Sequence, residues 1–344
     1  ARGEDVTAER VLHLVEELGA SSRVARVEAE RTLRELGPAA LPHLPAPEQL
    51  KSSASRDAVR RLRDAMERLQ AEETANASRV TLRGKFTLRE VVRVITDHTG
   101  NAVTTRDIPD NVLDVLLDID WHEVSFWEAI HDVELNAGLS AHLNAEGPQL
   151  ELLPQASDDG PRRIVDRGAF RIAARSFTRR RDFTAEDREI LRVRFEVFAE
   201  PRLRPLFIRV KHADFQLSAD DTTLTPLNVD AKLERPADRG ASTQLTIDFV
   251  TPKSSSVDAV TLTGRFAIEL AAGQERFVFR NLDTSEQIVR RRGGVTVTME
   301  QAQFSAGDEG EPLAARINLR VAYDSSGPAF ESHRTWVFHN EAHL

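Results

Sequence analysis

Apolar residues recur at helical spacing in three stretches of the first 77 residues. Val11, Leu12, Leu14, Val15 and Leu18 share one face, with Thr7 placed to cap the helix before Arg10 and Gly19 to stop it. A second helix starts at Ser21 or Ser22, carries Ala25, Ala29, Leu33 and Leu36 inward, and ends at Gly37-Pro38. The two form an αα-hairpin. The proline-broken run from Ala39 to Pro45 connects them to a third amphipathic helix, from Ser55 to Glu73, whose inward positions are Val59, Leu62, Met66 and Leu69.

Between residues 78 and 154 the pattern alternates between the two periods. Arg79-Val80-Thr81-Leu82 reads as a short strand. Thr87 and Glu90 have the spacing of a capping box, and the helix they open carries Leu88, Val91, Val92 and Ile95 on one face before Gly100 closes it. Asn101 to Ile108 reads as a strand, Pro109-Asp110-Asn111 as a turn, and Leu113 to Trp121 as another strand. Ser125 and Glu128 repeat the capping box, opening a helix with Phe126, Trp127, Ala129, Ile130 and Val133 that stops at Gly138. Leu139 to Leu143 and Leu150 to Leu153 follow, joined by a turn at Glu146-Gly147-Pro148. The order is β-α-β-β-α-β, with a final strand.

From about residue 164 the period is two. Strands are predicted over 170–174, 190–198, 206–215, 242–249, 259–270, 276–279, 294–304, 315–323 and 334–338, separated by Gly, Pro and Asp turn signals. Arg192 to Phe198 alternates strictly, with Val193, Phe195 and Val197 on one face. No helix-period segment of crossover length intervenes, so an antiparallel β-sandwich is expected rather than a parallel sheet. The expected whole is a multidomain α + β chain: a HEAT-like helical segment over 1–77, an α/β module over 78–154, a linker over 155–163 and a β-sandwich over 164–344 that is expected to continue past the C-terminus.

Charge sharpens this division. The 344 residues carry a net charge of −9. Residues 1–77 hold 12 basic and 14 acidic side chains, 78–154 hold 6 and 13, and 155–344 hold 28 of each, so the acidity belongs to the middle module. That balance disfavours generic nucleic-acid binding. The absence of cysteine excludes disulfides, thiolate metal sites and thiol nucleophiles. No apolar run approaches the roughly 20 residues of a membrane helix. A first residue that is Ala1 and not Met, together with the lack of cysteine, suits an exported protein whose leader has been removed, the expectation preferred here, and also fits a truncated chain. The last residues read as a strand entering a turn, so the natural protein is expected to continue.

Two segments resemble known families. Leu33-Arg34-Glu35-Leu36-Gly37-Pro38-Ala39-Ala40-Leu41-Pro42, where one helix ends at a glycine and a short apolar one begins, resembles a HEAT-type repeat over residues 5–72. The middle module resembles the secretin and TonB N-terminal (STN) domain. The residues that carry this are Leu88, Val91, Val92, Ile95, Thr99-Gly100-Asn101 and Val103 in one half. In the other they are Val124 to Ile130, Val133, Ala137-Gly138-Leu139-Ser140, Leu150 and Leu152. The resemblance implies a small α/β module of the cell envelope used for protein–protein contact, arranged in rings in secretion pores. Taken in order, and notably in Pro201 to Leu206 and Phe330 to Val337, the chain is similar to exported proteins of planctomycete type, which implies a lineage and no activity.

Candidate chemistry is sparse. His339 and His343 are four apart around Glu341, a zinc-like spacing, but Asn340 stands where a metalloprotease helix has glutamate, and a terminal turn is the simpler reading. Asp118 and Asp120 flank Ile119 on a strand, so both carboxylates face one side, as a hard cation requires; a solvated strand face is the simpler reading. Ser332 and His333 are adjacent and on a strand point to opposite faces, which rules them out as a nucleophile–base pair. No phosphate-binding glycine loop, serine elbow or dinucleotide fingerprint is present, so no catalytic residue and no cofactor is assigned. Arg179-Arg180-Arg181 and Arg290-Arg291-Arg292 read as solvated loops, or as surfaces that meet the acidic module at Asp114, Asp118 and Asp120.

The expectation is a non-enzymatic protein of the periplasm or cell envelope that self-associates, or contacts envelope components, as a ring or pore-associated assembly through its STN-like module. The alternative is a periplasmic sensor whose β-sandwich binds a carbohydrate or a cation.

Overall fold

The computed structural model describes residues 6–143, 148–155, 163–181, 188–219, 222–237, 242–252, 259–271, 276–280, 282, 287–292, 295–305 and 314–323. The chain is a mixed α + β protein of helices and largely antiparallel sheets. It divides into two compact units, one built on residues up to Gln70 with the stretch from Ala272 to Glu331, the other on Ala71–Ala271.

Three helices open the chain: α1 (Ala8–Glu17), α2 (Arg23–Leu36) and α3 (Ser53–Ala75), the last of which ends, from Ala71 on, in the second unit. The caps fall as the sequence predicts, with Thr7 accepting the Arg10 N–H and Ser22 that of Ala25. Gly37, at φ 63°, ends α2 and the chain continues as a 3-10 turn over Gly37–His43. Val11, Leu14, Val15, Leu18, Leu33, Val59, Leu62 and Met66 form one core. Leu12 and Leu69, assigned inward by their period, are instead 47% and 43% exposed. The buried helical stripe is narrower than the apolar residues suggest and leaves both on solvated flanks.

The second unit begins with β1 (Arg79–Thr87), α4 (Leu88–Thr99), β2 (Val103–Thr104), α5 (Asp110–Leu113), β3 (Leu116–Ser125), α6 (Phe126–Ala137), β4 (Leu139–Leu143) and β5 (Leu150–Pro154). Both capping boxes form: Thr87 Oγ1 accepts the Glu90 N–H while the Glu90 carboxylate accepts the Thr87 N–H at 2.8 Å, and Ser125 and Glu128 repeat the exchange. Gly100 and Gly138 both take the left-handed conformation that a side chain would resist. Strand β3 pairs antiparallel with β1, and a separate sheet runs β2-β5-β4 with β2 parallel to β5. The strand expected over 101–108 shrinks to two residues. Ahead of β3, Pro109 caps a four-residue helix in place of a turn, with acidic Asp110 in its first turn, and β3 therefore starts three residues late.

Eight strands follow: β6 (Ile164–Arg167), β7 (Phe170–Arg181), β8 (Arg188–Ala199), β9 (Pro205–Ala219), β10 (Thr222–Leu224), β11 (Lys232–Pro236), β12 (Ser242–Pro252) and β13 (Val260–Leu270). One sheet has the order β12-β8-β7-β6; in the other, β13 pairs along β9, and β10 and β11 share the opposite edge. Leu191, Val193, Phe195 and Val197 of β8 and Leu245, Ile247 and Phe249 of β12 share one buried cluster with Ile208, Val210, Phe215 and Leu217 of β9. The outer face of the first sheet is not free: Ala173 and Phe198 belong to the core of the α/β module, beside Trp127, Ile130 and Leu150.

A last sheet, β14 (Ile288–Arg292), β15 (Val295–Ser305) and β16 (Ala314–Tyr323), lies in the first unit. Arg276 to Phe279 forms no strand, since four alternating residues cannot hold a register without a partner. The short strands β6, β10, β11 and β14 are absent from the sequence reading because their pairing partners, not their own patterns, make them strands. The strand expected over 334–338 lies outside the described residues.

Candidate interaction site

Two buried charges fix the α/β module to the first sheet. Arg171, on β7, is 4% exposed. Its guanidinium reaches Asp166 on β6 with Nε at 2.8 Å and Nη2 at 3.2 Å, gives Nη1 to Glu134 of α6 at 2.7 Å, and gives Nη2 to the Trp127 carbonyl. It also lies 4.7 Å from the centre of the Trp127 ring, whose own N–H donates to the Ala169 carbonyl. Burial opposes the charge on Arg171, but the two carboxylates outweigh it and its pKa is raised. Glu134 also accepts the Ala141 N–H, so the same contact anchors β4.

The second charge is Glu200, completely buried after β8. Its carboxylate accepts the Ser78 N–H at 3.0 Å, the Ser78 hydroxyl at 2.7 Å, the Asn101 amide at 3.2 Å and Arg202 Nε at 2.6 Å. Arg202 then donates to the carbonyls of Thr74 and Asn76, where α3 ends, and its backbone N–H goes to Asn101 Oδ1. One carboxylate thus gathers the exit of α3, the entry to β1, the turn after α4 and the sheet strand β8. Neither cluster was assigned from sequence. The weak signal for Arg171 is that it alternates with Ala169 and Ala173, an otherwise small, apolar face; Glu200-Pro201 reads only as a turn.

Asp118 and Asp120 do share the outer face of β3, but they stand opposite Lys85 and Arg83 of β1, and Arg83 Nε lies 3.3 Å from Asp120. Cross-strand cations occupy the side a metal would approach. Asp114 is not on the strand; it follows α5, 3.6 Å from Arg89, which also pairs with Asp110 at 2.8 Å. Among the described residues no three His, Cys, Asp or Glu side chains are close enough together to hold a metal ion. His339 and His343 lie outside the described residues, as do Ser332 and His333.

The arginine runs are strands, not loops. Arg179 to Arg181 end β7 in register with Leu191, Ile190 and Glu189 of β8, and Arg179 is ion-paired with Glu189. Arg290 to Arg292 form β14 opposite Val297, Thr296 and Val295. In both places backbone pairing with an apolar neighbour overrides the polar composition.

Among the described residues the far edge of β3 and the outer edge of the end of β7 are two of the strand edges that pair with no other strand. The end of β3 is irregular: Glu123 takes φ 51°, beside a register break at Val80/Leu82, and is held by Thr81, whose hydroxyl donates to its carboxylate and accepts its N–H. Among the described residues β6 pairs with β7 only over Phe170–Ala173, with one further bond from the Ala174 N–H to the Arg163 carbonyl, and from Ala174 to Arg181 every side chain is exposed. Between Trp127, Leu150, Phe198 and Arg175 lies a cleft of about 30 Å³, room for water and not for a sugar.

Comparison of the chain with known protein families, with curated proteins and with solved structures finds no match. Among the described residues no helix is long and apolar enough to cross a membrane.

Proposed function

We propose that this chain is a non-enzymatic cell-envelope protein that self-associates through its α/β module, with the helical segment acting as a HEAT-like repeat and the paired sheets as a β-sandwich spacer. The observation that carries this reading is the open outer edge of β3, presented on a module that two buried ion clusters hold rigidly against a sheet. An unpaired edge offers a row of backbone donors and acceptors to another strand. The β-α-β-β-α-β order, with its paired capping boxes and left-handed glycine stops, supports the STN-like assignment, and the envelope location rests on that resemblance. Light scattering and negative-stain imaging at micromolar concentration test the reading. Assemblies larger than one chain are expected; a strict monomer overturns it. A thermal-shift screen against glycans and divalent cations is expected to show no stabilisation.

A further inference from the structure

We propose that the occupant of the open β3 edge is the open half of β7 from a second copy of this chain, paired with it as a continuing strand. This deepens the self-association reading above and rests on it. The two edges are complementary in charge. Residues 174–181 of β7 carry Arg175, Arg179, Arg180 and Arg181 and no carboxylate, whereas β3 carries Asp118, Asp120 and Glu123 and no lysine or arginine.

Each edge has counter-charges on its own sheet, but they stand one strand further in. Arg83 and Lys85 are on β1, beyond β3; Glu189 and Glu196, which pair with Arg179 and Arg175, are on β8, beyond β7, and Asp248, which Arg180 also feels, is on β12. A strand added to either edge meets the side chains of the edge strand first. Arginines along an exposed edge also discourage pairing with an apolar strand, which leaves an acidic strand as the fitting partner.

Geometry decides what such a contact builds. Strands β3 and β7 belong to one compact unit, and the Arg171 and Glu200 clusters hold the α/β module and the sheet as one body. A β7-to-β3 contact uses different surfaces on the two copies. It therefore repeats head to tail and either closes into a ring or extends as a filament.

The native chain lacks cysteine, so single-cysteine variants report cleanly. Ser176→Cys and Phe177→Cys mark the β7 edge, and Asp118→Cys marks β3. Mixing a β7 variant with the β3 variant and bridging with a short bifunctional maleimide is expected to give mixed cross-links, with none inside either batch alone. Arg180→Glu with Arg181→Glu is expected to weaken assembly by about tenfold or more, and raised salt is expected to weaken the native assembly. Mixing that variant with Asp118→Arg/Asp120→Arg restores it. Assembly with cross-links within one batch, or with none between batches, overturns this pairing and leaves self-association standing. A monomer under all conditions overturns both.

Discussion

Ser78 gives both its backbone N–H and its hydroxyl to the carboxylate of Glu200, 122 residues further along the chain. Because Asn101 and Arg202 donate to the same group, removing it takes the shared acceptor from four donors, one of them a cation, around a carboxylate that is completely buried. Glu200→Ala is expected to cost about 3 kcal/mol or more in urea or guanidinium unfolding of the second unit, the range for breaking one side of a buried pair. Arg202→Ala in the same background adds less than its own single cost, with a coupling of about 1–3 kcal/mol, since the cation no longer has a carboxylate to lose. Additive costs would show that the two side chains act independently.

Arg171 allows a sharper test, because its role depends on the shape of the guanidinium as well as its charge. The fork spans Asp166 and Glu134 at once while its central carbon lies over the Trp127 ring. An ammonium keeps the charge but cannot reach both carboxylates in that geometry. Arg171→Lys is therefore expected to destabilise by about 1–3 kcal/mol, and Arg171→Ala by about 3–5 kcal/mol, because buried Glu134 and half-buried Asp166 are left without their cation. Hydrogen exchange at Ala141, whose N–H donates to Glu134, is expected to speed up in both variants. Equal stability of Arg171→Lys and the native chain would reduce Arg171 to a charge-balancing role.

These two clusters show which part of the structure sequence can carry. Features whose causes lie within four residues were legible: both capping boxes, the glycine stops at Gly100 and Gly138, and the alternating run from Arg192 to Phe198 that lines the sheet core. What escaped depends on partners far away in sequence. Glu134 meets Arg171 across 37 residues, and Ser78 meets Glu200 across 122, with no local pattern to mark either. The same holds for the weak strands, which exist because a neighbour pairs with them, and for the arginine runs, whose polarity reads as loop until a β partner is in place. Of the candidate site, Asp118 and Asp120 were correctly placed on one face, but Arg83 and Lys85 opposite them could be foreseen only with the β1–β3 register.

A third expectation concerns Gly264 on β13, directly opposite Phe215 of β9. A methyl group there would sit 2.2 Å from Phe215 Cδ1 and within 2.7 Å of two more ring atoms. The ring has little freedom to yield, being 3% exposed and 6.1 Å from the Phe195 ring. Gly264→Ala is thus expected to cost about 2–3 kcal/mol by overpacking. Phe215→Leu combined with it should recover part of that loss. If Gly264→Ala is neutral in denaturant unfolding, the ring is not seated against the glycine.

The acid side of the stability curve follows from Asp248. Arg192 grips it with two hydrogen bonds of 2.8 Å. That bonding, opposed by burial and aided by the charges of Arg192, Arg180 and His212, lowers the Asp248 pKa. Glu128 is lowered too, by the Ser125 backbone N–H and hydroxyl. A carboxylate whose folded pKa lies below its unfolded one stabilises the fold at neutral pH. That contribution is present above the unfolded pKa, about 4, and is lost as pH falls through the lower folded value. The melting temperature of the native chain is therefore expected to hold from pH 7 to about pH 5 and then decline. Asp248→Asn removes the titrating group and the charge that Arg192 requires, so it starts lower at pH 7 and declines less. The two curves converge toward pH 3. Parallel curves across the range would mean that Asp248 contributes through packing and not through its charge.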